Sequence, residues 1–131
     1  MQTLIDLFLA LVAIDSPSYQ EDLIALFVEQ QLLSLGLATV YDEAGNLYAT
    51  LPGSGEPLLF NAHLDTVALA RGAKPIIADG IITSDGSTAL GADDKAAVAA
   101  ILWALDAIKS QGIPHRPLTL LFTVAEEEGL V

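Results

Sequence analysis

Three segments hold the side chains best suited to metal-assisted chemistry: His63-Leu64-Asp65, Gly91-Ala92-Asp93-Asp94-Lys95 and Glu126-Glu127-Glu128-Gly129. An imidazole that binds a cation through one ring nitrogen commonly donates its other N–H to a carboxylate. Asp65, two residues beyond His63, lies on the same side of an extended segment and suits that part. Taken by itself, His63 reads most simply as a hydrogen-bonded histidine in a strand-end loop. One aspartate is enough to cap a helix, so a pair at Asp93 and Asp94 suggests a second purpose, and a carboxylate can bridge two cations with its two oxygens. A plain helix cap remains open for that segment in isolation. In the third segment, neighbouring glutamates at a strand end face different ways. One can hold a metal while the next faces a water whose proton it accepts. The ordinary alternative is a solvated acidic turn.

The elements that must carry these residues alternate between helix and strand. Helices are predicted over residues 2 to 14 and 19 to 35, the second entered by Ser18 with Glu21 at capping-box spacing and closed by Gly36. Its apolar positions Ile24, Val28, Leu32 and Leu35 recur at helical intervals. Ala38 to Tyr41 and Leu47 to Leu51 flank a hairpin loop, and Leu58 to Ala62 reads as a buried strand leading into His63. Residues 79 to 90 form a turn and a short irregular strand. A third helix runs from about Asp94 to Gln111, ended by Gly112 and Pro114, and Leu118 to Val124 is a central strand leading to the glutamates. Such alternation predicts a three-layer α/β fold, a mixed sheet with helices on both faces. All three chemical segments then fall at strand ends or a helix start along one edge of the sheet, where ligand sites of open α/β sheets lie.

Composition narrows the function classes. The chain has 131 residues, 53% of them hydrophobic, and a net charge of −12. Its longest apolar run, Ala96 to Leu105, is ten residues, short of the roughly 18 a spanning helix needs. The first basic residue is Arg71, so the N-terminus lacks the basic start of a secretory signal and a cytoplasmic location is expected. The acidic balance disfavours nucleic acid and anionic membranes as partners. With no cysteine, any metal must be held by histidine and carboxylates.

The three motifs, in their order and spacing, resemble the two-zinc exopeptidases and deacylases, a family that includes peptidase T, carboxypeptidase G and the acetylornithine and succinyl-diaminopimelate deacylases. SDGSTALGADDKAAVAAIL and FTVAEEEGL look most like the peptidase T branch, whose members are aminopeptidases acting on tripeptides. The resemblance spans essentially the whole chain. It implies that His63 is a ligand of one zinc, that Asp65 orients it and that Asp93 bridges two zincs. It further implies a cis Asp93–Asp94 peptide, Glu126 as general base and Glu127 as a ligand of the second zinc. Glu128 stands at a position that is variable in the family and usually apolar. The implied chemistry is hydrolysis of peptide bonds in small peptides through a zinc-bridged hydroxide.

The family uses two further ligands, an acidic residue after the glutamate pair and a histidine near the far end of the catalytic domain. His115, the only other histidine, lies in a polar turn and is given no ligand role. Residues 1–131 are therefore expected to be the N-terminal part of a catalytic domain, without the lid domain through which relatives often dimerise and without the C-terminal catalytic part. The chain by itself is expected to be inactive, and a homodimer is compatible with the intact protein. Two other readings stay open: a catalytically incomplete module that binds a cation or a partner, and a related carboxypeptidase or N-acyl-amino-acid deacylase.

Overall fold

Strict alternation of burial along two strands defines the interior. In the computed structural model, which describes residues 2–129, Leu47, Ala49 and Leu51 of β2 (Leu47–Leu51) and Leu118, Leu120 and Phe122 of β6 (Leu118–Thr123) point into one core. Tyr48, Thr50, Thr119, Leu121 and Thr123 occupy the opposite face. These strands pair antiparallel. β6 also pairs in parallel with β3 (Leu58–His63), and β1 (Thr39–Tyr41) closes the other side, giving the order β1-β2-β6-β3. β6 is thus central, as its β-branched and aromatic composition predicts.

Three helices, α1 (Leu4–Val12), α2 (Asp22–Ser34) and α3 (Ala92–Gln111), supply the rest of that core through residues such as Leu11, Ile24, Val28, Leu32, Val98, Leu102 and Leu105. Truncating one of these leucines to alanine costs about 2–5 kcal/mol, because the cavity adds to the lost transfer energy. The α/β mixed sheet with packed helices is as expected, whereas the expected placement of helices on both faces is not seen among the described residues. Within residues 2–129 the helices share the single core on one face of the sheet.

Several boundaries differ from those predicted. α1 starts at Leu4 because Thr3 and Asp6 form a reciprocal capping box, each side chain bonding the other's backbone N–H. α2 starts three residues later than expected. Tyr19 has a φ of 70°, which is incompatible with helix, and Ser18 and Glu21 do not cap α2 with their side chains. Residues 75 to 84 form a two-stranded hairpin of β4 (Pro75–Ala78) and β5 (Ile81–Ser84) in place of one irregular strand. Its turn, Asp79-Gly80, has positive φ at both residues, 52° and 76°, the geometry that matches the twist of a hairpin.

Candidate metal centre

The register of β3 on β6 brings two of the chemical segments together. His63 pairs with Thr123 at the end of the parallel ladder, and the Leu64 N–H extends it to the Thr123 carbonyl at 2.8 Å. The chain leaving β6 turns at Ala125 into a 3-10 turn, Glu126–Glu128. Asp65 joins the two segments. It is fully buried, and its carboxylate accepts from the Glu126 N–H at 2.9 Å, the Glu127 N–H at 3.0 Å and the Ser18 hydroxyl at 2.5 Å. Burial pushes the Asp65 carboxyl up, but those bonds, together with the His63 charge, hold it below the usual carboxylate range.

The third segment arrives at the N-terminus of α3. Gly91 has a φ of 83°, and a Cβ there would lie 3.3 Å from the Thr66 methyl, so glycine permits the approach of the helix start to the loop after β3. The Asp93–Asp94 peptide is cis, as the resemblance implied. Lys95, buried, turns away from the acidic group and donates to the Ile14 carbonyl at 2.5 Å. Burial pulls its pKa down to about 8 against the opposing pull of Asp15.

His63 Nδ1 donates to the Asp65 backbone carbonyl at 2.8 Å and lies 3.3 Å from its Oδ1. The ring thus meets Asp65 more closely at its main-chain carbonyl than at its carboxylate. With Nδ1 committed to the Asp65 carbonyl, Nε2 is the ring nitrogen that faces the acidic group. Nε2 lies 2.9 Å from Asp93 Oδ1 and 3.7 Å from Glu126 Oε2. Burial would lower the His63 pKa. The Asp93 bond, the Asp65 carbonyl and the charges of Asp65 and Asp94 outweigh it, and the net shift is upward.

His63, Asp93 and Glu127 each offer one ligand atom, and these atoms all lie within 4.8 Å of one another. They are the three residues expected to hold metal. Glu126 stands beside them, whereas Glu128 is exposed. Desolvation and then the adjacent Asp93 charge push the Glu127 carboxyl up, which is the crowding that a cation relieves. One imidazole lone pair and carboxylate oxygens are a donor set suited to zinc. These residues fit a divalent metal.

Sequence reading missed the supports behind the site. Ser16 Oγ donates to the Leu64 carbonyl at 2.8 Å and its own carbonyl accepts from Thr66, so the segment after α1 straps the His63 loop. Asn46 Oδ1 takes the Val124 N–H at 3.0 Å and Glu21 Oε1 takes the Ala125 N–H at 2.8 Å. A buried glutamate and a serine pair before a helix were the only sequence signals, and capping explained them locally. His115 lies at the start of β6, the opposite end of the strand from the ligand group, and its Nδ1 meets the Arg116 carbonyl.

Residues 46–131 match peptidase family M28. The chain is 37% identical to the uncharacterized protein YqjE of Bacillus subtilis, over 98% of this chain and 37% of that protein. It is 30% identical to peptidase T of Desulfitobacterium hafniense, over 98% of this chain and 43% of that enzyme. The crystal structure of a tripeptidase from Staphylococcus aureus superposes with a TM-score of 0.92 at 42% identity, covering 98% of this chain and 38% of that one. The chain thus spans about two fifths of the length of these relatives. By the match over residues 46–131 the chain belongs to peptidase family M28, and in fold and sequence it is similar to a tripeptidase and to peptidase T.

Proposed function

We propose that the intact protein hydrolyses peptide bonds in small peptides as a tripeptide-type aminopeptidase, with two zinc ions, and that residues 1–131 are the N-terminal part of its catalytic domain. The observation that carries this reading is the convergence of His63, Asp93 and Glu127 within 4.8 Å, with the Glu126 carboxylate 3.7 Å from His63 Nε2. The names of the relatives, peptidase T and a tripeptidase, support the substrate class. The shared length of about two fifths supports a lid and further ligands in the longer protein.

In this reading His63, Asp93 and Glu127 would hold the zinc. Zinc bound here would polarise the scissile carbonyl and make a water acidic at neutral pH. Glu126 would accept the proton of the attacking water on its carboxylate and pass it to the leaving amine. Asp65 holds the Glu126 and Glu127 backbone N–H groups and the His63 ring in one frame. The peptide is the substrate and partner. A carboxypeptidase or acylase specificity differs from this reading only in which substrate terminus is gripped.

The test is tripeptide hydrolysis by a longer form that includes the region aligned with the relatives. Chelation should abolish turnover and added zinc should restore it, with about two zincs per chain at saturation. Turnover undiminished by exhaustive chelation would sink the reading.

A further inference from the structure

Glu21 is a charged residue only 6% exposed, and no ligand role falls to it. It sits at the N-cap position of α2, yet its side chain makes no capping bond there. Instead Oε1 reaches across 104 positions of sequence to accept the Ala125 N–H at 2.8 Å. Ala125 has a φ of 55°, in the left-handed region that is unfavourable for a non-glycine residue. That residue redirects the chain from β6 into the turn that carries Glu126 and Glu127. Three consecutive N–H groups are therefore held by two buried carboxylates, the first by Glu21 and the next two by Asp65. Asp65 fixes the turn only after the chain has changed direction. Glu21 is the group that fixes the change of direction itself.

We propose that Glu21 is a positioning residue for the glutamate pair. It acts by the reach of its oxygen to the Ala125 N–H and not by its charge, so that Glu127 meets His63 and Asp93 and Glu126 lies beside them. The inference rests on the metal-site reading for its consequence and on the Ala125 bond for its cause. Reach and charge separate cleanly by substitution. Glutamine keeps an acceptor oxygen at the same distance without charge, aspartate keeps the charge and falls one methylene short, and alanine lacks both.

The test uses the 131-residue chain with zinc alone. Zinc affinity of the folded fraction is measured by calorimetry, with urea denaturation run in parallel and amide hydrogen exchange followed by NMR. Glu21→Asp and Glu21→Ala should weaken zinc binding by about 10–100-fold, the usual effect of removing a support behind a ligand. Both should also speed exchange at Ala125 and shift the Glu126 and Glu127 amide resonances. Glu21→Gln should stay close to the parent in both readouts. The proposal is overturned if Glu21→Gln behaves like Glu21→Ala, or if the Ala125 to Glu127 amides are unmoved in Glu21→Ala. It is overturned too if stability falls while the folded fraction keeps its affinity. Glu127→Gln serves as the ligand control. If it binds zinc as the parent does, the metal reading fails, and amide exchange still decides whether Glu21 holds the turn.

Discussion

Asp65 and Glu126 divide the work at the site between a residue that arranges and one that reacts. Asp65 is sealed from solvent with three donors on its carboxylate, so its oxygens are committed to holding the turn. The Glu126 carboxylate is partly exposed and lies 3.7 Å from His63 Nε2, outside the group of three ligand atoms. A carboxylate beside a metal centre but not in it suits proton transfer. Glu126→Gln in a longer, active form should therefore keep its metal and lose roughly 10²–10⁴-fold in turnover. Metal content and kcat measured on the same preparation check this. Loss of metal with the glutamine would mean that the adjacent glutamates have exchanged roles. The candidate ligands were legible because each motif is local: His63 and Asp65 stand two positions apart, and Asp93 and Glu127 sit in short acidic runs. Ser18 and Glu21 were not legible, because their partners lie 47 and 104 residues away. At three residues' separation the same pair satisfied a capping box equally well.

Loops at the two ends of the sheet are fixed by close approach of backbone to backbone, and glycine decides where that is allowed. At the end remote from the ligand group, Gly53 lies against the chain entering β6. A Cβ there would come within 2.5 Å of the His115 carbonyl oxygen and the Arg116 carbonyl carbon. Ser54 N–H bonds the same His115 carbonyl at 3.0 Å, and Leu58 N–H bonds the Pro117 carbonyl at 2.9 Å, so this contact sets where the parallel pairing of β3 with β6 begins. Backbone cannot yield as a side chain can. Gly53→Ala is expected to cost about 1–3 kcal/mol by overpacking, seen as a lower urea midpoint with unchanged slope, and an unchanged midpoint would refute the contact. Strands with strict alternation, such as Leu118–Thr123, could be read from sequence because one face is buried. The β4–β5 hairpin could not be read as readily, since Ile76, Ile77 and Ile81 are all exposed and no alternation marks a face. Its Asp79-Gly80 turn was the one available signal.

At the scale of the molecule, the sheet has an open flank. β3 is an edge strand among the described residues, with Leu59 and Phe60 61% and 44% exposed. Beside it, Leu58, Phe60, Ile101, Ile108 and Leu120 line a groove of about 640 Å³. No helix among the described residues is long and apolar enough to cross a membrane. An uncovered edge with apolar side chains invites pairing with further chain. The relatives are more than twice as long as the aligned region, and the proposed two-zinc centre would need more side chains than His63, Asp93 and Glu127. Both facts point to the same expectation. The 131-residue chain with added zinc should hydrolyse tripeptides at least about 10³-fold more slowly than a longer form, the order of loss that follows when a reaction's electrostatic stabilisation is left incomplete. It should also bind an apolar dye that the longer form excludes. Initial rates and dye fluorescence at matched concentrations test the two halves separately. Turnover by the short chain equal to that of the longer form would show that three ligands suffice, and equal dye binding would show that the groove beside β3 stays open in the whole protein.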